Sequence, residues 1–201
     1  MSLCLGYVIG CISPAVLISK AKHVNLRKEG TGNLGATNTA FVLGKKAGIF
    51  VMIFDIMKSF LSYKIAKWLF PKLLIAGILA SIGAILGHCF PVFMNFQGGK
   101  GLAAFGGLIL AYSPWMFAII VTCGVVLMFI CDTGVVAPFI GCLAFPAMVY
   151  YSGHDWLETA AVLTASIIIF STHLSNFRMA RRKEDVVNTT EFMEKVFGKK
   201  K

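Results

Sequence analysis

Long apolar runs, separated by short polar segments, make up most of this chain. Seven of them predict membrane-crossing helices, because a span needs roughly 20 mostly apolar residues. The runs are 3–19, 47–70, 73–86, 102–112, 115–131, 135–151 and 157–172. Run 102–112 is too short to cross alone unless its ends are buried in protein. The pattern therefore predicts an all-α membrane protein with seven transmembrane helices and short re-entrant or interfacial elements.

The composition supports a membrane protein over a soluble one. Of the 201 residues, 57% are hydrophobic and 14% are charged, whereas a soluble domain is nearer half apolar and a quarter charged. The net charge of +10 would also suit a nucleic-acid-binding protein. However, the basic residues flank the apolar runs, which is typical of the cytoplasmic side of a membrane protein. We therefore predict the lipid bilayer as a partner and no nucleic acid.

The distribution of basic residues also predicts an orientation. No basic residue precedes the first run, and Lys20 and Lys22 follow it directly. With the N-terminus outside, seven crossings place four segments in the cytoplasm, and the last of these segments contains the C-terminus. These segments are 20–46, 88–101, 132–134 and the tail after the last run, and they hold fifteen of the nineteen Lys and Arg residues. We predict one domain, 1–201, in which 184–201 is a mobile cytoplasmic tail.

Two kinds of residue inside the apolar runs are interpreted as structural. Asp55 and Lys58 stand at helical i, i+3 spacing within the second run, and charges inside a span usually face one another or a polar cavity. This spacing favours a structural ion pair over a catalytic role. The six cysteines include no C-x-x-C pair and lie mostly in apolar runs. They are expected to be free thiols that bind no metal.

Residues 88–101 form a polar, glycine-rich segment between two apolar runs. It contains His88 and then Gly98, Gly99, Lys100 and Gly101. Glycine N–H groups beside a lysine and a helix start favour an anion such as phosphate. A membrane re-entry turn, with the lysine marking the cytoplasmic side, explains the same residues equally well.

Two further polar segments lie on the predicted cytoplasmic side. Residues 30–38 combine three glycines with Thr and Asn, and His173 and Asn176 follow the last run. A solvated loop would explain 30–38 if that segment stood alone. Neither glycine-rich segment matches a nucleotide-binding P-loop. The shared side of the membrane turns the three segments into one candidate site.

These residues resemble the signatures of the bacterial acyl-phosphate:glycerol-3-phosphate acyltransferases. The first signature is similar to Gly30–Asn38 followed by Leu43–Gly48, and the second to Gly87–Phe93 with Gly98–Gly101. The third is similar to His173-x-x-Asn176 with the basic run after it. The resemblance extends over essentially the whole chain. None of the four histidines has an aspartate five residues later, so the His-x-x-x-x-Asp motif of the acyl-thioester-dependent enzymes is missing.

The resemblance implies a specific reaction. The enzyme would transfer a fatty acyl group from acyl phosphate to the 1-hydroxyl of glycerol 3-phosphate. The products would be lysophosphatidate and phosphate, in the first acylation step of phospholipid synthesis. It implies no metal or organic cofactor, a bacterial cell membrane and an active site facing the cytoplasm. It also implies a functional link to an enzyme that makes acyl phosphate and to the next acyltransferase.

The resemblance also assigns roles to individual residues. The expected catalytic residues are Thr31, Lys100, His173 and Asn176. The expected substrate-binding residues are Gly30, Gly32, Asn33, Gly35, Thr37, Asn38, His88, Gly98, Gly99 and Gly101. Lys100 and the 31–38 loop would hold phosphate, while His173 and Asn176 would orient the acceptor or stabilise the oxyanion.

Thr31 replaces a serine of the family pattern and keeps the hydroxyl, and three further departures do not conserve the chemistry. Phe41 stands where the family usually has arginine, and Leu174 stands where it often has arginine. Residues 133–138, which end at Pro138, stand where the family tends to have an arginine or a Tyr-Ser pattern. Each of these three changes removes a cation or hydroxyl from a pocket for a dianionic acceptor. Two alternatives follow. One is a divergent member with another alcohol acceptor or with weak or no catalysis. The other, less favoured because neither glycine segment is repeated, is a small anion transporter.

Overall fold

The computed structural model describes residues 1–181 and 188–198, and these residues are helical without any strand. The all-α prediction is therefore confirmed for the described part of the chain. The α-helices are α1 Ser2–Gly10, α2 Pro14–Ala21, α3 Ala36–Leu43, α4 Lys45–Leu69, α5 Ala76–Cys89, α6 Leu102–Tyr112, α7 Pro114–Ile130, α8 Val136–Tyr151, α9 Trp156–Arg181 and α10 Thr189–Phe197. A short 3₁₀ turn, Val92–Met94, precedes α6.

Each predicted apolar run coincides with helix in the structure. Among the described residues, three segments are long and apolar enough to cross a membrane, namely Ser2–Ala21, Ala76–Met94 and Trp156–Arg178. Helices α6, α7 and α8 are apolar but shorter. Helix α4 has 25 residues and carries several charges. The first run is divided into α1 and α2, and Pro14 is the first residue of α2, where its missing N–H costs nothing.

Helix α6 is short because it lies inside the protein. Its 11 residues extend over about 16 Å, at a rise of 1.5 Å per residue. Phe105, Leu108 and Ile109 are buried in the main apolar core. The core also includes residues of α5, α8 and α9, and the rings of Phe105 and Phe145 pack edge to face with centroids 5.9 Å apart. This packing on several sides surrounds a helix that is too short to cross a bilayer alone.

Glycines bring α1 and α5 into close contact. A Cβ atom on Gly6 would overlap the carbonyl oxygen of Ala80, and one on Gly83 would overlap that of Leu3. Gly10 and Gly87 make equally close approaches. Small residues let two membrane helices approach at backbone distance, so this interface fixes α5, from which the 90–101 turn leaves.

A buried charged cluster lies between α4, α5 and the break in the first span. The Nζ atom of Lys58 lies 2.8 Å from Asp55 Oδ1 and 2.8 Å from His88 Nδ1. The same Nζ atom donates to the carbonyl oxygen of Ile12 at 3.2 Å. Ile12 lies two residues before Pro14, at the break between α1 and α2. The side chains of Asp55, Lys58 and His88 are all almost fully buried. The predicted Asp55–Lys58 ion pair is confirmed, and its lysine also satisfies a carbonyl group at the helix break.

Part of the segment predicted as a mobile tail, 184–201, is helical in the structure. Thr189–Phe197 form α10, which contacts α3 and α7. Asn188 caps this helix by accepting a hydrogen bond from the Glu191 N–H at 2.7 Å, as N-cap residues do. The remainder of that prediction, 184–187 and 199–201, lies outside the described residues.

Candidate active site

One large cavity connects the three polar segments that the sequence singled out. Its volume is about 1690 Å³, and Thr31, Lys100, His173 and Asn176 all line it. Another part of its wall is apolar and comes from α6 and α7. This part includes Phe105, Ile109, Ile120, Val121 and Val125. The cavity therefore suits a ligand that has a polar head and a long apolar chain.

The loop 30–35 is held in shape by Asn38. This side chain is fully buried, and its Oδ1 accepts a hydrogen bond from the Thr31 N–H at 2.7 Å. Its Nδ2 donates to the carbonyl oxygens of Leu26, at 2.9 Å, and Glu29, at 3.1 Å. Gly30 has φ +60° and lies so close to Asn38 that a Cβ would overlap the amide oxygen. The loop thus requires a glycine at position 30 for both its conformation and its packing.

Two of the residues predicted to bind substrate in this loop have structural roles. Asn38 was expected to contact substrate, but its amide is used within the loop and does not line the cavity. Gly32 is also off the cavity wall, and its N–H donates to Glu29 O at 3.1 Å. The other predicted residues of the loop, namely Gly30, Thr31, Asn33, Gly35 and Thr37, do line the cavity.

In the 90–101 turn, two of the predicted glycines have backbone partners for their N–H groups. We predicted that Gly98 and Gly99 offer N–H groups to an anion. Instead, the Gly98 N–H donates to Cys89 O at 2.9 Å, and the Gly99 N–H donates to His88 O at 3.1 Å. A Cβ on either glycine would overlap His88. These glycines therefore allow the turn to close against α5, and their N–H groups are already satisfied within it.

The next two residues of the turn do reach the cavity. Gly101, with φ +83°, is the N-cap of α6, and it lines the cavity with Lys100 and the first residues of the helix. The N-terminus of a helix presents unpaired N–H groups and a partial positive charge to a ligand. The anion-binding prediction thus applies to Lys100 and the start of α6.

Lys100 is held against α9 by two contacts. Its Nζ donates to Asn176 Oδ1, and the Thr172 hydroxyl donates to the Lys100 carbonyl oxygen at 2.8 Å. Partial burial lowers the pKa of the Lys100 ammonium group below its ordinary value. Because the Asn176 oxygen faces the lysine, its amide N–H groups remain to donate to a ligand.

His173 lies one helical turn before Asn176 and is 5% exposed. Its Nδ1 donates to the Ile169 carbonyl oxygen at 2.9 Å, since a carbonyl oxygen can only accept. In the neutral ring this leaves Nε2 as the hydrogen-bond acceptor. The structure therefore brings Lys100, His173 and Asn176 together, as a cation, an acceptor and an amide donor.

His88 was also predicted to bind substrate. It lines the cavity, but its Nδ1 faces Lys58 and Asp55 in the buried cluster. The Gly99 N–H donates to its carbonyl oxygen. His88 thus connects the buried charges to the turn that carries Lys100, which indicates a supporting role.

The sequence patterns did not predict the residues that join these segments. Arg27 donates to the Gln97 side-chain oxygen at 2.6 Å and also to the Gln97 carbonyl oxygen. These bonds connect the segment that precedes the 30–35 loop to the 90–101 turn. Asn188, Glu191 and Lys195 of the C-terminal segment line the cavity as well. Asn188-x-x-Glu191 is a helix N-terminus signature, and this signal would have revealed α10. We find no sequence signal for the Arg27–Gln97 contact.

Of the three departures from the family pattern, Phe41 borders the cavity. Its ring packs edge to face on Phe192 of α10, with centroids 5.3 Å apart. Pro138 and Leu174 are not among the described residues that line the cavity. Gly134, Val135 and Ala137 of the departing segment 133–138 do line it. Departures that could contact a ligand directly therefore lie at Phe41 and within 133–138.

Comparison with known proteins shows the family of this chain. The model of the family described as glycerol-3-phosphate acyltransferase matches residues 1–183. The chain belongs to this family. A glycerol-3-phosphate acyltransferase of Lactiplantibacillus plantarum is 35% identical over 196 residues, covering 94% of this chain and 91% of the relative. The enzyme of that name from Bacillus cytotoxicus is 32% identical over 190 residues, covering 94% and 95%.

Two solved structures share the fold. Both are crystal structures of PlsY (YgiH), an integral membrane glycerol 3-phosphate acyltransferase, in its glycerol 3-phosphate form and its lysophosphatidic acid form. The TM-scores are 0.87 and 0.86, at 27% and 26% identity, and each alignment covers 96% of both chains. The arrangement of helices around the cavity is therefore that of the acyltransferase family.

The buried amide of Asn38 gives a first prediction. We expect Asn38→Ala to lower the free energy of unfolding by about 2 kcal/mol, because two carbonyl groups and one N–H lose their partner. The loop that borders the cavity should also loosen and raise KM for the small phosphorylated substrate. Thermal unfolding in detergent and steady-state kinetics measure the two effects. Asn25→Ala is the matched control, because Asn25 is exposed and makes one local bond in the same segment. Equal stability of the two variants would contradict this role of Asn38.

Proposed function

We propose that this protein is a multi-pass membrane enzyme that transfers a fatty acyl group from acyl phosphate to the 1-hydroxyl of glycerol 3-phosphate. The products are lysophosphatidate and inorganic phosphate. The observation that carries the proposal is the group Lys100, His173 and Asn176 on the wall of a cavity that α6 and α7 make apolar. Family membership and the names of the relatives support glycerol 3-phosphate as the acceptor.

The proposed topology has seven crossings. They are formed by α1 with α2, then α4, α5, α6, α7, α8 and α9. With the N-terminus outside, the 30–35 loop, the 90–101 turn and the end of α9 all face the cytoplasm of a bacterial cell membrane. The excess of basic residues in these segments supports that orientation. The proposal includes the whole chain, 1–201, as a single domain.

The chemistry requires positioning more than a strong nucleophile. The acceptor hydroxyl oxygen forms a bond to the acyl carbon, the bond from that carbon to the phosphate oxygen breaks, and phosphate leaves with the electron pair. The hydroxyl proton ends on the released phosphate. Because acyl phosphate is already activated, donors that hold two phosphates and stabilise the oxyanion account for catalysis.

Each residue then has a role that its contacts allow. Lys100 and the N-terminus of α6 hold the donor phosphate. The amide N–H groups of Asn176 donate to the oxyanion, and Nε2 of His173 accepts from the acceptor hydroxyl and orients it. The 30–37 loop holds phosphate through the residues that reach the cavity, Thr31, Asn33 and Thr37, with Gly30 and Gly35 between them. The apolar wall of α6 and α7 receives the acyl chain.

The proposed acyl donor is acyl phosphate. Its support is the lack of a His-x-x-x-x-Asp motif in the sequence and the partly buried lysine, which suits a phosphate leaving group. An acyl-phosphate donor places the protein after an enzyme that makes acyl phosphate and before the acyltransferase that uses lysophosphatidate.

The assay combines purified protein with palmitoyl phosphate and glycerol 3-phosphate and follows phosphate and lysophosphatidate. We expect the two products in equal amounts, and no product when palmitoyl-CoA replaces palmitoyl phosphate. Turnover with palmitoyl-CoA alone would replace the proposed donor. Phosphate release without lysophosphatidate, or transfer only to another alcohol, would instead indicate the divergent enzyme that Phe41 at the cavity wall suggests.

A further inference from the structure

Helix α10 lies beyond the family match, which ends at residue 183. It is nevertheless attached to the end of α7 by specific hydrogen bonds. The Thr189 hydroxyl donates to Met128 O at 3.0 Å. The backbone N–H and the hydroxyl of Thr190 both donate to Asp132 Oδ1, at 2.8 and 2.9 Å. These bonds fix the start of α10 beside the cavity.

Aromatic contacts attach α10 to α3 and α4. The Phe192 ring packs edge to face on Phe41 of α3. The Lys45 ammonium group, at the start of α4, lies 5.8 Å from the Phe197 ring centroid. Edge-to-face ring pairs and cation–π contacts each contribute modestly, but together they hold the second half of the helix. α10 is therefore held between the 30–43 region and α7.

The side of α10 that faces the cavity is polar. Asn188, Glu191 and Lys195 line the cavity, and their spacing of three and four residues puts them on one helical face. The Lys195 Nζ lies 2.5 Å from Glu191 Oε1 and 5.8 Å from the Phe41 ring centroid. The Lys195 side chain is 60% exposed, so its ammonium group can move onto a ligand.

The cationic residues of the cavity wall indicate what Lys195 would bind. Among the described residues that line it, the lysines are Lys100 and Lys195, and arginine is absent. Lys100 already contacts Asn176 on α9. The proposed reaction brings two phosphate groups into one cavity, and a dianion bound there favours a second cation.

We propose that α10 completes the polar part of the cavity and that Lys195 is a specificity-determining residue that contacts the phosphate group of glycerol 3-phosphate. Glu191 holds the Lys195 ammonium group in the free enzyme and competes with that phosphate for it. This inference rests on the proposed function, because it assigns a residue to the acceptor of the same reaction.

The test compares two charge-neutralising variants that should change KM in opposite directions. Lys195→Gln should raise KM for glycerol 3-phosphate about fivefold and leave kcat nearly unchanged, as expected for a solvent-exposed charge contact. Glu191→Gln should lower KM by about twofold, because it removes a competing carboxylate at the same site. Lys195→Arg should keep the wild-type KM.

Lys45→Gln is the matched control. Lys45 contacts the same helix through Phe197 but does not line the cavity, so its KM should equal that of the wild type. If α10 had only a structural role, Lys195→Gln and Glu191→Gln would both weaken the enzyme. That result, or an unchanged KM in Lys195→Gln, would overturn the inference.

Failure of the proposed function would be visible separately. If the wild type forms no lysophosphatidate, the reaction assigned above is wrong. Equilibrium binding of glycerol 3-phosphate to the full-length protein in detergent then decides the role of Lys195. Weaker binding to Lys195→Gln than to the wild type and Lys45→Gln supports that role, and equal binding of the three proteins overturns it.

Discussion

Lys100→Ala should lower kcat by about a thousandfold, the scale seen when a preorganised electrostatic donor is removed from an active site. The variant loses the cation proposed to hold the leaving phosphate, together with the contact between Lys100 Nζ and Asn176. The protein should remain folded, because Thr172 bonds to the backbone carbonyl of Lys100. Phosphate release and lysophosphatidate formation measure kcat, and thermal unfolding in detergent measures stability.

Lys64→Ala is the matched control for this experiment. The Lys64 ammonium group donates to Ala111 O at 3.1 Å, near the opposite end of α6. The control therefore also removes a lysine contact near the same helix, but away from the cavity. Its kcat should match that of the wild type. Full activity in Lys100→Ala would exclude Lys100 from the active site.

Asp55→Ala should lower the free energy of unfolding by about 3–5 kcal/mol, the cost of leaving a buried charge without its partner. The unpaired charge is the Lys58 ammonium group, which is 3% exposed. Activity should fall as well, because His88 contacts both charges and the turn that carries Lys100 closes on the His88 carbonyl oxygen. Unfolding by heat in detergent, followed by tryptophan fluorescence, measures the stability.

The double variant Asp55→Leu/Lys58→Met separates the effect of charge from that of packing. Removing both charges together should cost less than removing Asp55 alone, because no buried charge then remains unpaired. As a control, Glu191→Gln breaks an exposed pair and should change stability by at most about 1 kcal/mol. The single variants Asp55→Leu and Lys58→Met complete the comparison. If their losses in free energy of unfolding added up to that of the double variant, the two charges would not be coupled.

Local sequence patterns predicted the features that depend on neighbours along the chain. The apolar runs gave the helices, since each span needs a continuous apolar surface wherever it packs. The i, i+3 spacing gave the Asp55–Lys58 pair, because these positions share one helical face. Lys100 was singled out within a glycine-rich turn between apolar runs. His173 and Asn176 were singled out by their predicted side of the membrane and by the family resemblance, and all three residues line the cavity.

Roles that depend on distant partners were decided by the tertiary structure. The glycines at 98 and 99 suit both an anion site and a tight turn. In the structure they form the turn, because their N–H groups donate to the carbonyl oxygens of Cys89 and His88. An asparagine at position 38 could line the cavity or support the loop. It supports the loop because the carbonyl oxygens of Leu26 and Glu29 accept hydrogen bonds from its Nδ2. The sequence by itself determined the apolar helices, the buried ion pair and the polar segments that border the cavity. Only the tertiary structure decided which polar groups are already satisfied and that α10 reaches the cavity, because both depend on contacts between segments far apart in the chain.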